Sequence, residues 1–461
     1  MDDNAAIIKQ ILGEPPGNLS KVSKEIHTRK HIPKVNEEPI EELSEYLKCC
    51  ELVKAKVPAI FITGQAGTGK STLIRYLKRQ RAFQTVILAP TGVAAMNVGG
   101  QTIHSFFRFP PRVLTENDIE VKDKTRAILR NIGLLIIDEV SMVRADMVDW
   151  IDQYLREAMY NDKFFGGIPV CFIGDLLQLP PIVKTAEEEK LFSTRYDSAY
   201  FYSATCFQDI PMASLALKKV FRQKDDQFID VLSKIRVNND HRESVAVLNR
   251  LCYGENKDVE RSLTLVTTNH QAAIINNDSY KALDTEERTY WGKVVGKFAE
   301  SVLPAPEELK LKPGARVLFV KNSTHWYNGS LGQVTEVHEN HVRVRLLEDG
   351  KEHDVYPDKW QSFQYVFDKN AERVNSREVG SYTQIPIIHG WAITIHKSQG
   401  LTLDDVRIDL GRGAFASGQT YVALSRCREM GKLSLTVPIS MGDVKVDVDL
   451  LQFYEKLGLL V

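Results

Sequence analysis

Short, almost wholly apolar runs punctuate the chain, and each closes on a conspicuous polar sequence. Val57 to Ile62 ends at Thr63-Gly64, and Thr85-Val86-Ile87-Leu88 runs into Ala89-Pro90-Thr91-Gly92. Leu134-Leu135-Ile136-Ile137 runs into Asp138-Glu139, and Val170-Cys171-Phe172-Ile173 into Gly174-Asp175. Continuous apolar strands alternating with helical spacing mark a buried parallel sheet, so the fold class is α/β. All four polar sequences then lie at carboxyl ends of strands, where open α/β sheets bind ligands.

A second set of the same kind follows. Leu263-Thr264-Leu265-Val266 leads into Thr267-Thr268-Asn269 and a helical stretch from His270 to Leu283. Trp391 to Ile395 leads into His396-Lys397-Ser398-Gln399-Gly400; Val406 to Leu410 precedes a helix holding Tyr421 to Arg426, and Lys432 to Val437 is a last strand. Between these parts the texture changes to alternating positions such as Val342-Arg343-Val344-Arg345, broken by Asn328-Gly329 and Asp349-Gly350. Such turns between short alternating strands predict a small β-barrel, inserted over about 305–381. The expected organisation is an arm over 1–39, a first α/β domain over 40–210 with a short wedge-like insertion near 105–125, and a second over 211–304 and 382–461.

Composition narrows the class only a little. The 461 residues carry a formal net charge of −1, so a polyanion-binding surface must come from local concentration of basic residues. No apolar run approaches the roughly 18 residues of a membrane span, and no secretory signal is evident. Six cysteines without C-x-x-C spacing read as reduced thiols. The expected location is therefore cytoplasmic, nuclear or mitochondrial, away from membranes.

Chemistry enters at Gly64, which opens Gly-Gln-Ala-Gly-Thr-Gly-Lys-Ser before a helical period. A strand, a glycine loop and a helix start in this order make a phosphate cradle of converging N–H groups. Gly64, Ala66, Gly67, Thr68, Gly69, Lys70, Ser71 and Thr72 are its candidate nucleotide-binding residues. Lys70 is placed to reach the β- and γ-phosphates, with Ser71 and Asp138 on Mg²⁺ and Glu139 deprotonating the attacking water. Gln178, in Gly174-Asp175-Leu176-Leu177-Gln178, is suited to a γ-phosphate oxygen and that water; Gly400 joins the nucleotide set. Charge on the transferring phosphoryl group calls for arginines from elsewhere, and the candidates are Arg222 and Arg426. For single-stranded nucleic acid the candidates are Pro90, Thr91, Gly92, His104, Ser105, Phe106, Thr267, Asn269, His396, Lys397 and Ser398, small polar or aromatic groups at strand ends. Phe106, Phe107 and Phe109 read equally well as core aromatics.

Together these segments resemble the motif series of superfamily-one helicases, and most closely the PIF (petite integration frequency) family of DNA helicases. The resemblance covers about Val57 to Ser440 and includes Ala-Pro-Thr-Gly-Val-Ala-Ala, Ile-Asp-Glu-Val-Ser-Met, Val-Phe-Arg-Gln and Tyr-Val-Ala-Leu-Ser-Arg-Cys. It implies two RecA-like domains with ATP between them, single-stranded DNA across their tops, and an inserted Src-homology-like barrel. It also implies Arg222 and Arg426 as fingers from the second domain, and 5′-to-3′ translocation. The family's adenine-reading glutamine, in a Leu-x-x-x-Gln pattern, has no counterpart in Val35-Asn36-Glu37-Glu38-Pro39-Ile40, which leaves nucleotide selectivity open. The expected activity is a Mg²⁺- and ATP-dependent DNA helicase, stimulated by single-stranded DNA, monomeric on DNA, and acting at single–double-strand junctions or structured DNA such as G-quadruplexes. The rivals are a RecD-like translocase subunit and a DNA-triggered ATPase that remodels without unwinding.

Overall fold

The computed structural model describes residues 41–183, 185–209, 212–223, 225–254, 261–298 and 303–459. The arm expected over 1–39, and with it the segment Val35 to Ile40, lies outside the described residues.

Six parallel strands form the first sheet in the order β3-β2-β4-β5-β1-β6: β1 Ala59–Gly64, β2 Thr85–Ala89, β3 Gln101–Thr102, β4 Leu134–Ile137, β5 Val170–Ile173 and β6 Met212–Leu217. Strands β1, β4 and β5 are buried along their whole length, which is why their sequences are continuously apolar. Strand β6 pairs with β1 in register Ala59 to Met212, so the first sheet runs past the expected boundary at 210.

A second parallel sheet has the order β18-β7-β19-β20, from β7 Leu263–Val266, β18 Ala392–Thr394, β19 Val406–Asp409 and β20 Leu433–Leu435. The helix before it, Asp226–Val237, buries Phe228, Val231, Leu232 and Ile235 in the second hydrophobic core. The last helix, Val448–Lys456, turns back to the first core instead. Its Tyr454 hydroxyl lies 2.8 Å from Thr63 Oγ1 and accepts the Leu176 N–H at 3.1 Å. The end of the chain thus braces the first sheet, whereas the sequence placed it in the second unit.

Between β7 and β18 lie ten strands: β8 Arg288–Trp291, β9 Lys293–Gly296, β10 Glu308–Leu311, β11 Arg316–Phe319, β12 Leu331–Val337, β13 Val342–Leu346, β14 Glu352–Val355, β15 Asp358–Asp368, β16 Arg373–Gln384 and β17 Ile387–His389. Their pairing is antiparallel: a five-stranded sheet β14-β13-β12-β11-β17, a three-stranded sheet β15-β16-β9, and the pair β10-β8. Pairing therefore spans Arg288 to His389, wider than the expected 305–381. Nor does this segment stand apart. In the β15–β16 hairpin the Tyr365 hydroxyl accepts the Ile87 N–H at 3.0 Å, and Val374 N–H donates to Gln84 Oε1 at 3.1 Å.

All six cysteines are free thiols. Among the described residues, no helix is long and apolar enough to cross a membrane.

Candidate nucleotide site and strand-end face

The loop after β1 is shaped by two glycines. Gly67 has φ +82°, and a Cβ there would fall 2.4 Å from the Arg222 Cβ, so only glycine admits the arginine's approach. Gly69, at φ +87°, caps the helix Lys70–Arg79, whose first N–H groups open toward the loop. The Lys70 ammonium donates to the carbonyls of Gly64 at 2.6 Å and Gln65 at 2.9 Å. Burial lowers its pKa, opposed by the charges of Asp175 and Glu139.

Two carboxylates follow β4. Asp138 is 8% exposed, and burial together with the charge of Glu139 pushes its pKa up to about 7. Glu139 adopts φ +50°, and its Oε2 accepts the Gln399 side-chain N–H at 3.2 Å. After β5, Gln178 donates to Asp175 Oδ2 at 3.4 Å, and Asp175 meets Arg236 at 2.8 Å. Burial alone would raise the Asp175 pKa, but Arg236 and Lys70 outweigh it and hold it below the usual carboxylate range.

The cations come from the second core and from the segment that joins it to β6. Arg222 donates to Ser425 O at 3.2 Å, and Gln223 to Ser425 O and Cys427 O at 3.2 and 3.1 Å. Arg426 is 1% exposed and donates to Val422 O at 3.0 Å and Ser425 Oγ at 2.9 Å. Burial and the neighbouring Arg222 lower the Arg426 pKa to about 9, which leaves the guanidinium positive at neutral pH. The two cores meet here directly: Tyr421 Oη accepts the Ala66 N–H at 3.0 Å, and Gln65 Nε2 donates to Ser233 Oγ at 3.0 Å.

These groups enclose a cavity of ≈ 690 Å³. Of the candidates, Ala66, Gly67, Thr68, Gly69, Lys70, Ser71, Thr72, Glu139, Gln178, Arg222, Gly400 and Arg426 line it. Gly64 and Asp138 are not in its wall. Tyr46, Phe221 and Arg428 also line the cavity, and the sequence did not single them out. Phe221 was signalled only by standing next to Arg222; Tyr46, inside a helix of ordinary spacing, carried no signal. Arg236, the buried partner of Asp175, looked like any helix arginine.

Candidates for the nucleic acid are divided. Thr91 and Thr102 cap the short helices Gly92–Asn97 and Ile103–Phe107, accepting N–H groups of Ala94 and Ser105 at 3.2 Å; Thr268 caps Asn269–Lys281 in the same way. Ser105, Asn269 and Lys397 are exposed, while Pro90, His104 and His396 are half-buried. Burial, and for His104 also Arg144, lowers the pKa of both histidines. Phe106 is turned inward, edge-on to Phe107 at 5.0 Å and to Tyr365 at 6.2 Å, and offers no face to a base. Ser398 is fully buried and donates to Ile395 O at 2.8 Å; Thr267 and Gly92 are buried as well. Apolar packing took Phe106, and closure of a tight turn took Ser398. At these four positions the side chain offers little or no surface to a ligand.

Among the described residues, no cluster of three or more His, Cys, Asp or Glu side chains is arranged to hold a metal ion. A single buried carboxylate and a helix-start hydroxyl, Asp138 and Ser71, suit an ion that arrives with most of its ligands, as Mg²⁺ does on nucleotide phosphates.

The PIF1-like helicase family model matches residues 44–246. The chain is 32% identical over 421 residues to the ATP-dependent DNA helicase PIF1 of Xenopus laevis, covering 86% of this chain and 62% of that protein. It thus spans a little under two thirds of this relative. The unliganded Pif1 from Bacteroides sp. superposes with a TM-score of 0.82 at 35% identity, over 91% of this chain and 98% of that one. Bacteroides Pif1 bound to ssDNA gives a TM-score of 0.65 at 35% identity, over 90% of this chain and 96% of that one. With a cradle, two carboxylates and two buried arginines on one cavity, and with more than nine-tenths of a solved Pif1 matched at this identity, the chain belongs to the PIF1-like helicase family.

Proposed function

We propose that the chain is an ATP-dependent DNA helicase that moves 5′-to-3′ on single-stranded DNA as a monomer and opens duplexes at single–double-strand junctions. The observation that carries this reading is the cavity wall itself, which brings Arg222 and Arg426 to the same cavity as the Lys70 loop and Glu139. The loop N–H groups and Lys70 bind the β- and γ-phosphates, Glu139 takes a proton from the attacking water, and Gln178 orients that water. Arg222 and Arg426 neutralise charge on the transferring phosphoryl group, Arg426 from the opposite core. Ser71 and Asp138 are the residues to hold Mg²⁺, which neutralises phosphate charge when bound. Because Arg426 belongs to the core that carries β7, β18 and β19, and Arg222 is bonded to that core through Ser425 O, filling or emptying the cavity moves strand ends that carry Asn269, His396 and Lys397. That motion is the stroke.

The test is strand displacement by the purified chain on duplexes tailed at either end, with Lys70→Ala as the inactive control. Unwinding of 5′-tailed but not 3′-tailed substrates supports the reading. ATPase stimulated by DNA without any displacement favours a remodelling switch. Displacement that appears only with added partner proteins favours a translocase subunit. The opposite tail preference overturns the polarity.

A further inference from the structure

The loop between β11 and β12 of the inserted segment packs on the chain that walls the nucleotide cavity. Gly329, at φ +110°, lies so close that a Cβ there would fall 2.7 Å from Thr402 O, and Thr402 lines the cavity. Two residues earlier, the Tyr327 hydroxyl donates to Asp404 Oδ2. The loop holds its own shape: Tyr327 N–H donates to Ser330 Oγ at 3.1 Å, Ser330 N–H to Tyr327 O at 3.0 Å, and Gly329 N–H to Phe319 O at 2.9 Å. The segment beneath it is tied to the arginine turn, since Leu403 N–H donates to Arg426 O at 3.0 Å.

Arg428 joins these contacts to the cavity, whose wall it shares with Gly400 and Thr402. Its guanidinium lies 5.1 Å from the centre of the Tyr327 ring, and its Nε stands 3.5 Å from Asp404 Oδ1. Among the described residues, its two terminal nitrogens make no hydrogen bond to protein. Arg426, by contrast, spends all three guanidinium nitrogens on protein oxygens. The planar edge of Arg428 is thus left for an anion in the cavity. Burial lowers the Arg222 pKa and the charge of Arg428 adds to that effect, which places the two guanidiniums near each other beside the phosphate loop.

We propose that Arg428 is a ligand for the phosphates of the bound nucleotide, positioned by Tyr327 of the inserted barrel acting through Asp404. This rests on the ATP reading above and brings the barrel into the nucleotide site. The Tyr327 hydroxyl fixes the carboxylate, the carboxylate holds Nε, and the ring carries the flat face of the guanidinium. Lifting the loop off Asp404 therefore loosens the nucleotide. By reciprocity, a nucleotide that engages Arg428 holds the loop down with the same coupling free energy.

The full chain, Tyr327→Phe, Arg428→Gln and the double variant are compared in two measurements. One is steady-state ATPase with a thymidylate oligomer; the other is equilibrium binding of a fluorescent, non-hydrolysable ATP analogue. Melting followed by circular dichroism serves as the folding control. Arg428→Gln is expected to raise KM and the analogue's Kd about tenfold, the worth of one charge-assisted hydrogen bond, with kcat nearly kept. Tyr327→Phe keeps the ring but loses the hydroxyl, and should raise both constants severalfold. In the double variant the losses should not add, because the hydroxyl acts only through Arg428. A hydroxyl that merely fastens the barrel would lower the melting temperature without moving KM, or move KM equally in both backgrounds. Either result overturns the positioning role. Parental KM and Kd in Arg428→Gln overturn the phosphate ligand while the parent's ATP hydrolysis stands. Neither hydrolysis nor analogue binding by the parent overturns the ATP reading itself.

Discussion

Arg236 and Asp175 meet at 2.8 Å, both buried, one on a helix of the second core and the other at the end of β5 in the first. The guanidinium also lies 5.6 Å above the Tyr454 ring, on the helix that closes the chain. Three distant parts of the sequence therefore converge behind Lys70, whose charge Asp175 also feels. Removing one member of a buried pair strands the other's charge, at a cost of about 3–5 kcal/mol. Arg236→Met should lower the melting temperature sharply, and Arg236→Met with Asp175→Asn should recover much of the loss. If the double variant is no more stable than the single one, the pair is not the source of the effect.

That contact also shows where sequence reading stops. Strands β1, β2, β4 and β5 were legible because a strand buried on both faces must be apolar throughout, and their polar ends named the site. Strand β6 alternates buried and half-buried positions, and its six residues carry no polar signature at the end. The inserted segment is wider than its sequence suggests because β9 is mostly exposed and β8 buries only Tyr290, so neither shows a sustained apolar pattern. Arg236 and Tyr454 owe their roles to chain segments that meet only in three dimensions. Phe106 shows the reverse failure: at a strand end its aromatic ring suited a base, and the core claimed it.

The Arg426 guanidinium is fully buried and held by Val422 O and Ser425 Oγ. Alanine would leave a hole and unpaired carbonyls, so Arg426→Lys is the cleaner variant. It keeps a charge but loses the planar fork. Turnover should fall on the order of 10³-fold while nucleotide affinity is largely kept, as for an arginine that acts on the transferring group. Single-turnover hydrolysis and equilibrium nucleotide binding, measured together, decide the point. Lost affinity with undiminished hydrolysis of bound nucleotide would make Arg426 a binding residue.

Asp138 makes the stability of the free protein depend on pH. Its folded pKa of about 7 lies above the ordinary aspartate value near 3.9, because burial and Glu139 disfavour its charge. Between roughly pH 4 and 7 the folded state holds a proton that the unfolded chain has released. This group's contribution is therefore favourable at low pH and lost as pH rises through about 7. Asp138→Asn removes that loss. The variant should melt higher than the parent at pH 8, and the gap should close toward pH 5, although the carboxylate proposed for Mg²⁺ is gone. Parallel melting curves for the two proteins across this range would refute the assignment.

Phe221 offers the base of a nucleotide an aromatic face in the cavity wall. The ring is 45% exposed and lines the cavity beside Tyr46, whose hydroxyl donates to Gly69 O at 3.1 Å. The Phe221 N–H donates to Gly67 O at 2.9 Å, which ties the ring to the phosphate loop. Lys219 stands 4.9 Å from the ring centre and bonds Glu41 at 2.7 Å, so an ammonium and a carboxylate border the same wall. An aromatic face holds adenine and guanine alike, and a mixed donor and acceptor edge excludes neither. ATP and GTP should therefore be hydrolysed with comparable kcat/KM under DNA stimulation. Phe221→Ala should raise KM for both severalfold with kcat nearly kept, the mark of binding lost equally from ground and transition states. A strong preference for ATP in the parent would mean that an adenine-specific hydrogen bond, outside this wall, selects the base. An unchanged KM in Phe221→Ala would remove the ring from the nucleotide's path altogether.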